Sequence, residues 1–216
     1  ESIRALEEAK AIQIDLLGRD HPATLRTRRQ IGDMFAVYEA ELDSSLAEFN
    51  DILATQLRIH GGKNPNGAET LHSIGCAQSR KGDPSKALRT LEECYYMRVE
   101  FLGWDHPLQG STLHEIVLIH LKGGRLKKAL HISEVVLGIR KEAFGEGHID
   151  VARTLTTIGS CLVAQGKFVA ATECFKEALR VSQATVGDTH PAVADVYSEM
   201  GSMHLRQCQF DEARSS

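Results

Sequence analysis

Ten histidines and five cysteines are the residues of this chain whose types and spacing could do chemistry. His72 and Cys76 stand four apart, which on a helix puts an imidazole and a thiol on one face, the first requirement of an activated thiolate. No third orienting group or oxyanion donor accompanies them, so the thiol is expected to be an inert small side chain. His114-Glu115 has the opening of a zinc-hydrolase motif, which needs a second histidine four residues after the first. His120 comes six residues on, about 240° around a helix, and cannot share that face. The cysteines, Cys76, Cys94, Cys161, Cys174 and Cys208, are odd in number and contain no Cys-x-x-Cys. They read as core thiols of a reducing compartment rather than a disulfide framework or zinc site. Neither a Gly-x-x-x-x-Gly-Lys-Ser/Thr loop nor a Gly-x-Ser-x-Gly elbow occurs. The expectation is therefore no metal, no cofactor and no enzymatic activity in this chain.

Four of the remaining histidines point to architecture. His21, His106, His148 and His190 recur in Gly18-Arg19-Asp20-His21-Pro22, Gly103-Trp104-Asp105-His106-Pro107, Gly145-Glu146-Gly147-His148-Ile149 and Gly187-Asp188-Thr189-His190-Pro191, with Asn64 in the same slot of Gly61-Gly62-Lys63-Asn64-Pro65. The leading glycines are 43, 42, 42 and 42 residues apart. Asparagine and neutral histidine share a side-chain acceptor, so this slot is expected to cap the helix that follows. Two further ladders keep the step: Gly32, Gly75, Val117, Gly159 and Gly201, and Ala87, Ala129, Ala171 and Ala213 with Ser45 and Ser2 upstream.

Each period reads as two antiparallel helices of roughly 15 residues, about 22 Å long. Pro22, Pro65, Pro107 and Pro191 fall at a first helical position, where a missing amide costs nothing, and Pro84 falls in the turn Gly82-Asp83-Pro84. The linker glycines are expected to end the preceding helix in a left-handed conformation. Gly82, Gly124 and Gly166 mark the turn within a unit; the first unit lacks that glycine and carries an extra residue around Glu39 to Ser44. The second helices show stripes such as Leu46, Phe49, Ile52, Leu53 and Ala171, Phe175, Ala178, Leu179, which one unit cannot bury alone. A glycine in the middle of each first helix lets its partner approach closely, and Val117 should widen that contact. Trp104 is expected to pack into a joint between repeats, the alternative being an exposed partner anchor.

The reading is one all-α array of stacked antiparallel helix pairs over residues 1–216. A second helix of a truncated repeat covers 1–17, full repeats cover 21–60, 64–102, 106–144 and 148–186, and a partial repeat covers 190–216. Its last first helix is expected over Pro191 to Gln207, with a partner beginning before Ser216. Both ends read as cut from a longer array.

With 42% hydrophobic and 25% charged residues the composition suits a soluble globular protein that can bury a core. The net charge of −4 offers no bulk attraction to phosphate backbones, so no nucleic-acid partner is expected. The longest aliphatic run, Ile116 to Ile119, is far short of the roughly 20 residues of a membrane span. Membrane insertion is not expected, and a cytoplasmic, cytoskeleton-associated location is.

These units, with a small residue in the first helix and an alanine in the second, resemble tetratricopeptide repeats. The 42-residue period with Gly-x-x-His-Pro linkers is similar specifically to the kinesin light chain type, most closely over Thr154 to Gly159 and Gln165 to Phe168. The resemblance implies a right-handed α-solenoid whose first helices line a concave groove that binds peptides, in kinesin light chains the acidic-aromatic segments of cargo adaptors. The asparagines with which that family grips a peptide main chain correspond here to Arg29-Gln30, His72-Ser73, His114-Glu115, Thr156-Thr157 and Ser198-Glu199.

On that frame the groove-facing positions are Arg26, Arg29, Gln30 and Asp33, then Glu69, His72, Ser73, Cys76, Ser79 and Arg80. The later units supply Ser111, His114, Glu115 and Lys122, then Arg153, Thr156, Thr157 and Ser160, and finally Asp195, Ser198, Glu199, Ser202 and Arg206. Arginines gather at the amino end, where a guanidinium fork could hold a carboxylate or phosphate. The expected partner is a protein or peptide segment, acidic or phosphorylated, bound by an adaptor. The alternative for this face is a solvated surface in which Arg29 and Asp33 merely pair at i, i+4. The alternative function is a scaffold in a cytoskeletal or ciliary assembly, with contacts through the convex face or the array ends.

Overall fold

The computed structural model describes residues 2–60 and 63–215, whose regular elements are all helices, without a strand among the described residues. The helices are α1 (Ser2–Leu17), α2 (Pro22–Phe35), α3 (Leu42–His60), α4 (Pro65–Arg80), α5 (Pro84–Leu102), α6 (Pro107–Lys122), α7 (Leu126–Phe144), α8 (Ile149–Ala164), α9 (Phe168–Val186) and α10 (Pro191–Ser215). The second helices α3, α5, α7 and α9 have 19 residues each, longer than the first helices α2, α4, α6 and α8, because each runs from its turn to the linker.

The local signals act where the period places them. His21, His106, His148 and His190 each accept, through Nδ1, the amide of the residue two positions on, at 3.1–3.2 Å. Asn64 Oδ1 accepts the Gly67 amide at 2.8 Å. These bonds satisfy amides that have no partner inside the helix. Gly18, Gly103, Gly145 and Gly187 end their helices with φ between 80° and 89°, where a side chain would be strained. Gly61-Gly62, the remaining member of the linker ladder, lies outside the described residues.

Close approach of the paired helices follows from the mid-helix glycines. A β-carbon on Gly32 would lie 2.6 Å from Phe49 Cε1, one on Gly75 2.6 Å from Leu91 Cγ, and one on Gly159 2.5 Å from Phe175 Cε1. Each glycine is thus the slot for a large side chain, fully buried, from the second helix. The third unit reverses the sizes: Val117 takes the glycine slot, and Ser133, one period before Phe175, takes the large one. The expected widening at Val117 therefore meets a smaller residue on the partner helix. Both are buried, and Ser133 Oγ donates to the Ala129 carbonyl at 2.8 Å.

Three features depart from the sequence reading. The turn of the first unit comes earlier than Glu39 to Ser44: α2 ends at Phe35, a 3-10 turn spans Glu39–Glu41, and α3 begins at Leu42. No residue other than glycine takes a positive φ among the described residues, so the extra residue is absorbed by tighter winding instead. α10 does not stop near Gln207 but continues to Ser215. The position that holds Gly82, Gly124 and Gly166 in the preceding units is Cys208 here, so the helix meets no left-handed residue. Trp104 is 67% exposed rather than packed, following the reversal of the chain at Gly103.

The chain divides into two compact units, Glu1–Trp104 and Asp105–Ser216. In the first, α1 packs on α2, α2 on α3, α3 on α4 and α4 on α5. Its core gathers Ala36, Leu42, Phe49, Ile74 and Ala77, and a second cluster holds Ala68, Leu71, Cys94 and Met97. In the second, α6 packs on α7, α7 on α8, α8 on α9, and α10 on both α8 and α9. Phe175, Ala171, Ala178, Val181, Val196 and Met203 lie at its centre. Cys94 and Cys161 are core thiols, whereas Cys76 and Cys174 are half-buried and Cys208 is exposed. Burial pushes the Cys161 thiol up to about 11, out of the range of a working nucleophile.

Candidate functional site

The first helices of each unit carry the residues singled out by the sequence. In the first unit α2 and α4 are stitched together by their own side chains. Arg29 donates through Nη1 to Asp33 Oδ2 at 2.9 Å and through Nη2 to Glu69 Oε2 at 2.7 Å, with Ser73 Oγ 3.5 Å from Nη1. Arg80 Nη1 donates to the Ala36 carbonyl at 3.3 Å. The pairing of Arg29 with Asp33 posed as the alternative is present, and Glu69 adds a second carboxylate. The recognition arginine expected here is thus held by two internal anions. Burial raises Asp33 above its ordinary carboxylate value, against the hydrogen bond from Ser73 and the charges of Arg29 and Arg80.

Arg26 and Gln30 are exposed, and Ser79 is half-buried. His72 Nε2 lies 3.7 Å from Cys76 Sγ, so the i, i+4 contact forms. Desolvation first, then the positive charges of Arg98 and Arg29, lowers the His72 pKa to about 4. An imidazole so depressed is a weak base, and burial leaves its Nδ1 without a hydrogen bond.

The sequence reading missed the buried arginines. Arg28, 3% exposed, donates through Nε to Glu48 Oε1 at 2.7 Å and through Nη2 to Asp51 Oδ2 at 2.6 Å, tying α2 to α3. Arg140 in the second unit donates through Nη1 to Thr154 Oγ1 at 2.7 Å and to the Asp150 carbonyl at 3.2 Å. A signal for Arg140 existed. Gln56, Arg98, Arg140 and Ser182 form a 42-residue polar ladder inside otherwise apolar stripes, and all four are buried. Thr70, two periods before Thr154, likewise bonds Gln56 Oε1, at 2.9 Å.

In the second unit the first helices enclose a cleft of about 670 Å³. Leu118, Leu121 and Lys122 come from α6, Thr156, Thr157, Ser160, Val163 and Ala164 from α8, and Asp195, Ser198, Glu199, Ser202 and Arg206 from α10. The contributions repeat at 42-residue steps: Leu118, Ser160 and Ser202 form one row, and Lys122, Ala164 and Arg206 another. Thr156 and Thr157 donate their hydroxyl protons to the Ala152 and Arg153 carbonyls, both at 3.0 Å. Ser160 Oγ lies 2.7 Å from Glu199 Oε2 and 3.0 Å from the Thr156 carbonyl.

Other expected residues sit around this cleft rather than in it. Arg153 is exposed, donates to Asp150 Oδ1 at 3.2 Å, and lines a smaller hollow of about 120 Å³ together with Asp195 and Thr156. Ser111, His114 and Glu115 are half-buried on α6 and do not line the large cleft. Desolvation, then the charges of Arg140 and Arg153, lowers the His114 pKa to about 4. Among the described residues no group of three or more His, Cys, Asp or Glu could hold a metal ion, and no helix is long and apolar enough to cross a membrane.

The profile of the tetratricopeptide repeat family matches residues 36–100, 108–184 and 150–216. No curated protein matches the chain. Solved structures do. The nearly identical TPR-like repeats assigned to a kinesin light chain of Podosopora anserina are similar at 18% identity, over 90% of this chain and 92% of that one, with a TM-score of 0.71. A singly substituted form of the same repeats gives 0.72 at the same identity and coverage. BtubC (BKLC) from P. vanneervenii is similar at 15% identity, over 98% of this chain and 84% of that one, with a TM-score of 0.78. At these identities the likeness is one of fold.

Proposed function

The chain belongs to the tetratricopeptide repeat family, and from that premise we propose that it is an adaptor whose second unit holds an extended segment of a partner protein between α6, α8 and α10. The observation that carries this reading is the cleft itself. Three first helices contribute to it at matching positions, and its lining mixes an apolar floor, Leu121, Val163 and Ala164, with polar side chains from α8 and α10. Such a mixture suits a peptide, whose side chains need apolar contact and whose backbone needs hydrogen bonds.

The anion-binding part of the reading moves with the site. A phosphate or carboxylate reaching Arg29 would have to displace Asp33 and Glu69, each within 3 Å of it. Lys122 and Arg206 are exposed at one end of the second-unit cleft and can meet an acidic side chain without displacing an internal carboxylate. Likeness to kinesin light chains supports a cargo-adaptor role. In place of the asparagines that serve that family, α8 presents Thr156 and Thr157, so the peptide chemistry differs.

A scaffold role has its own support. Leu16, Ile59 and Phe101 occupy matching positions near the ends of α1, α3 and α5 and are 76%, 46% and 42% exposed. The test compares partner capture by the wild-type chain, by Ser202→Trp, which fills the cleft from an exposed position, and by Arg26→Glu in the first unit. Capture lost only with Ser202→Trp supports the cleft. Capture kept by both variants moves the contacts to the second helices and favours the scaffold.

A further inference from the structure

The cleft is bipolar, and its middle offers hydrogen-bond acceptors. Thr156 and Thr157 spend their only side-chain protons on carbonyls of α8, so each presents lone pairs alone to a ligand. Ser160 has one proton to divide between Glu199 and the Thr156 carbonyl, and it too is left accepting. Asp195 and Glu199, four residues apart on one face of α10, add two carboxylates, and neither forms an ion pair among the described residues. Arg153, the cation that shares the smaller hollow with Asp195, is held by Asp150. Lys122 and Arg206 stand at the opposite end. Asp195 and Arg206 are eleven residues apart on α10, about 16 Å at the rise of an α-helix. An extended peptide covers that distance in about five residues.

We infer that the segment bound in this cleft carries both signs of charge: an arginine or lysine over Asp195, Glu199 and the α8 hydroxyls, and an aspartate or glutamate about five residues away against Lys122 and Arg206. The inference rests on the cleft being the binding site. Arginine suits the acceptor end best, because its guanidinium has five donors and no acceptor. A purely acidic segment would set its carboxylates against Asp195 and Glu199.

The probe is a random 12-residue peptide library displayed on phage, selected on the full chain and depleted on Ser202→Trp. Peptides surviving depletion should be enriched in an Arg or Lys with an Asp or Glu about five positions away. Asp195→Asn with Glu199→Gln should weaken the selected peptides about tenfold and abolish the basic preference. Lys122→Gln with Arg206→Gln should abolish the acidic preference and keep the basic one. Cleft-dependent peptides that are uniformly acidic, or without charge bias, overturn the inference and leave the cleft as the site. Absence of any peptide that distinguishes wild type from Ser202→Trp overturns the reading of the cleft, and the inference with it.

Discussion

Gly159 of α8 faces Phe175 of α9 so closely that a β-carbon on the glycine would sit 2.5 Å from Cε1 of the ring. The ring is fully buried and cannot move aside without opening the core that α10 shares.

Gly159→Ala should therefore destabilise the chain by about 1–3 kcal/mol, although alanine is the better helix former. Gly201→Ala, at the same register on α10 with nothing within 4 Å, should be neutral or stabilising by up to about 1 kcal/mol. Combining Gly159→Val with Phe175→Ser copies the Val117 and Ser133 arrangement and should recover part of the loss that Gly159→Val causes alone. Urea unfolding of the four variants measures this. Equal midpoints for Gly159→Ala and Gly201→Ala would show that the helices can separate at no cost.

His72 and His114 make stability depend on pH. Both are lowered from 6.5 to about 4 in the fold, so between these values the unfolded chain binds more protons than the native one. Their contribution is complete above about pH 6.5 and is lost as pH falls towards 4. From pH 7 to pH 5 each should cost about 1–2 kcal/mol. His72→Gln and His114→Gln should each flatten the stability profile over that window while leaving the region above pH 7 with the same slope. A mutant profile as steep as wild type would refute the assignment.

Arg29 and Arg26 separate structure from surface. Arg29→Gln strands Asp33 and Glu69 beside each other on a half-buried face and should destabilise by about 1–2 kcal/mol. Arg26→Glu, on an exposed position, should stay within about 0.5 kcal/mol of wild type. Thermal unfolding followed by circular dichroism distinguishes them, and a silent Arg29→Gln would mean that its two carboxylates are no more than solvated neighbours.

The linker caps should be interchangeable in chemistry but not dispensable. His190→Ala removes an acceptor from the first turn of α10 and should cost about 1 kcal/mol, whereas His190→Asn, which copies Asn64, should cost little. Denaturant midpoints of the two variants test this; equal losses would show that the imidazole serves packing rather than capping.

These residues divide by how far their reasons reach. The sequence by itself determined the period, the helix starts at Pro22, Pro65, Pro107 and Pro191, the histidine and asparagine caps, the left-handed linker glycines and the close-approach slots. Each of those follows from the covalent character of one residue or from a partner a few positions away, and a 42-residue repeat displays the same cause several times. Only the tertiary structure decided that Arg29 belongs to Asp33 and Glu69, that Arg28 and Arg140 are buried, and that Trp104 is exposed. It also decided that the open cleft lies between α6, α8 and α10. Most of these outcomes join residues up to 40 positions apart in sequence, or depend on which neighbouring side chain arrives first at a shared face. An arginine able to fork onto a foreign carboxylate can fork equally well onto the chain's own, and helix docking chooses between them.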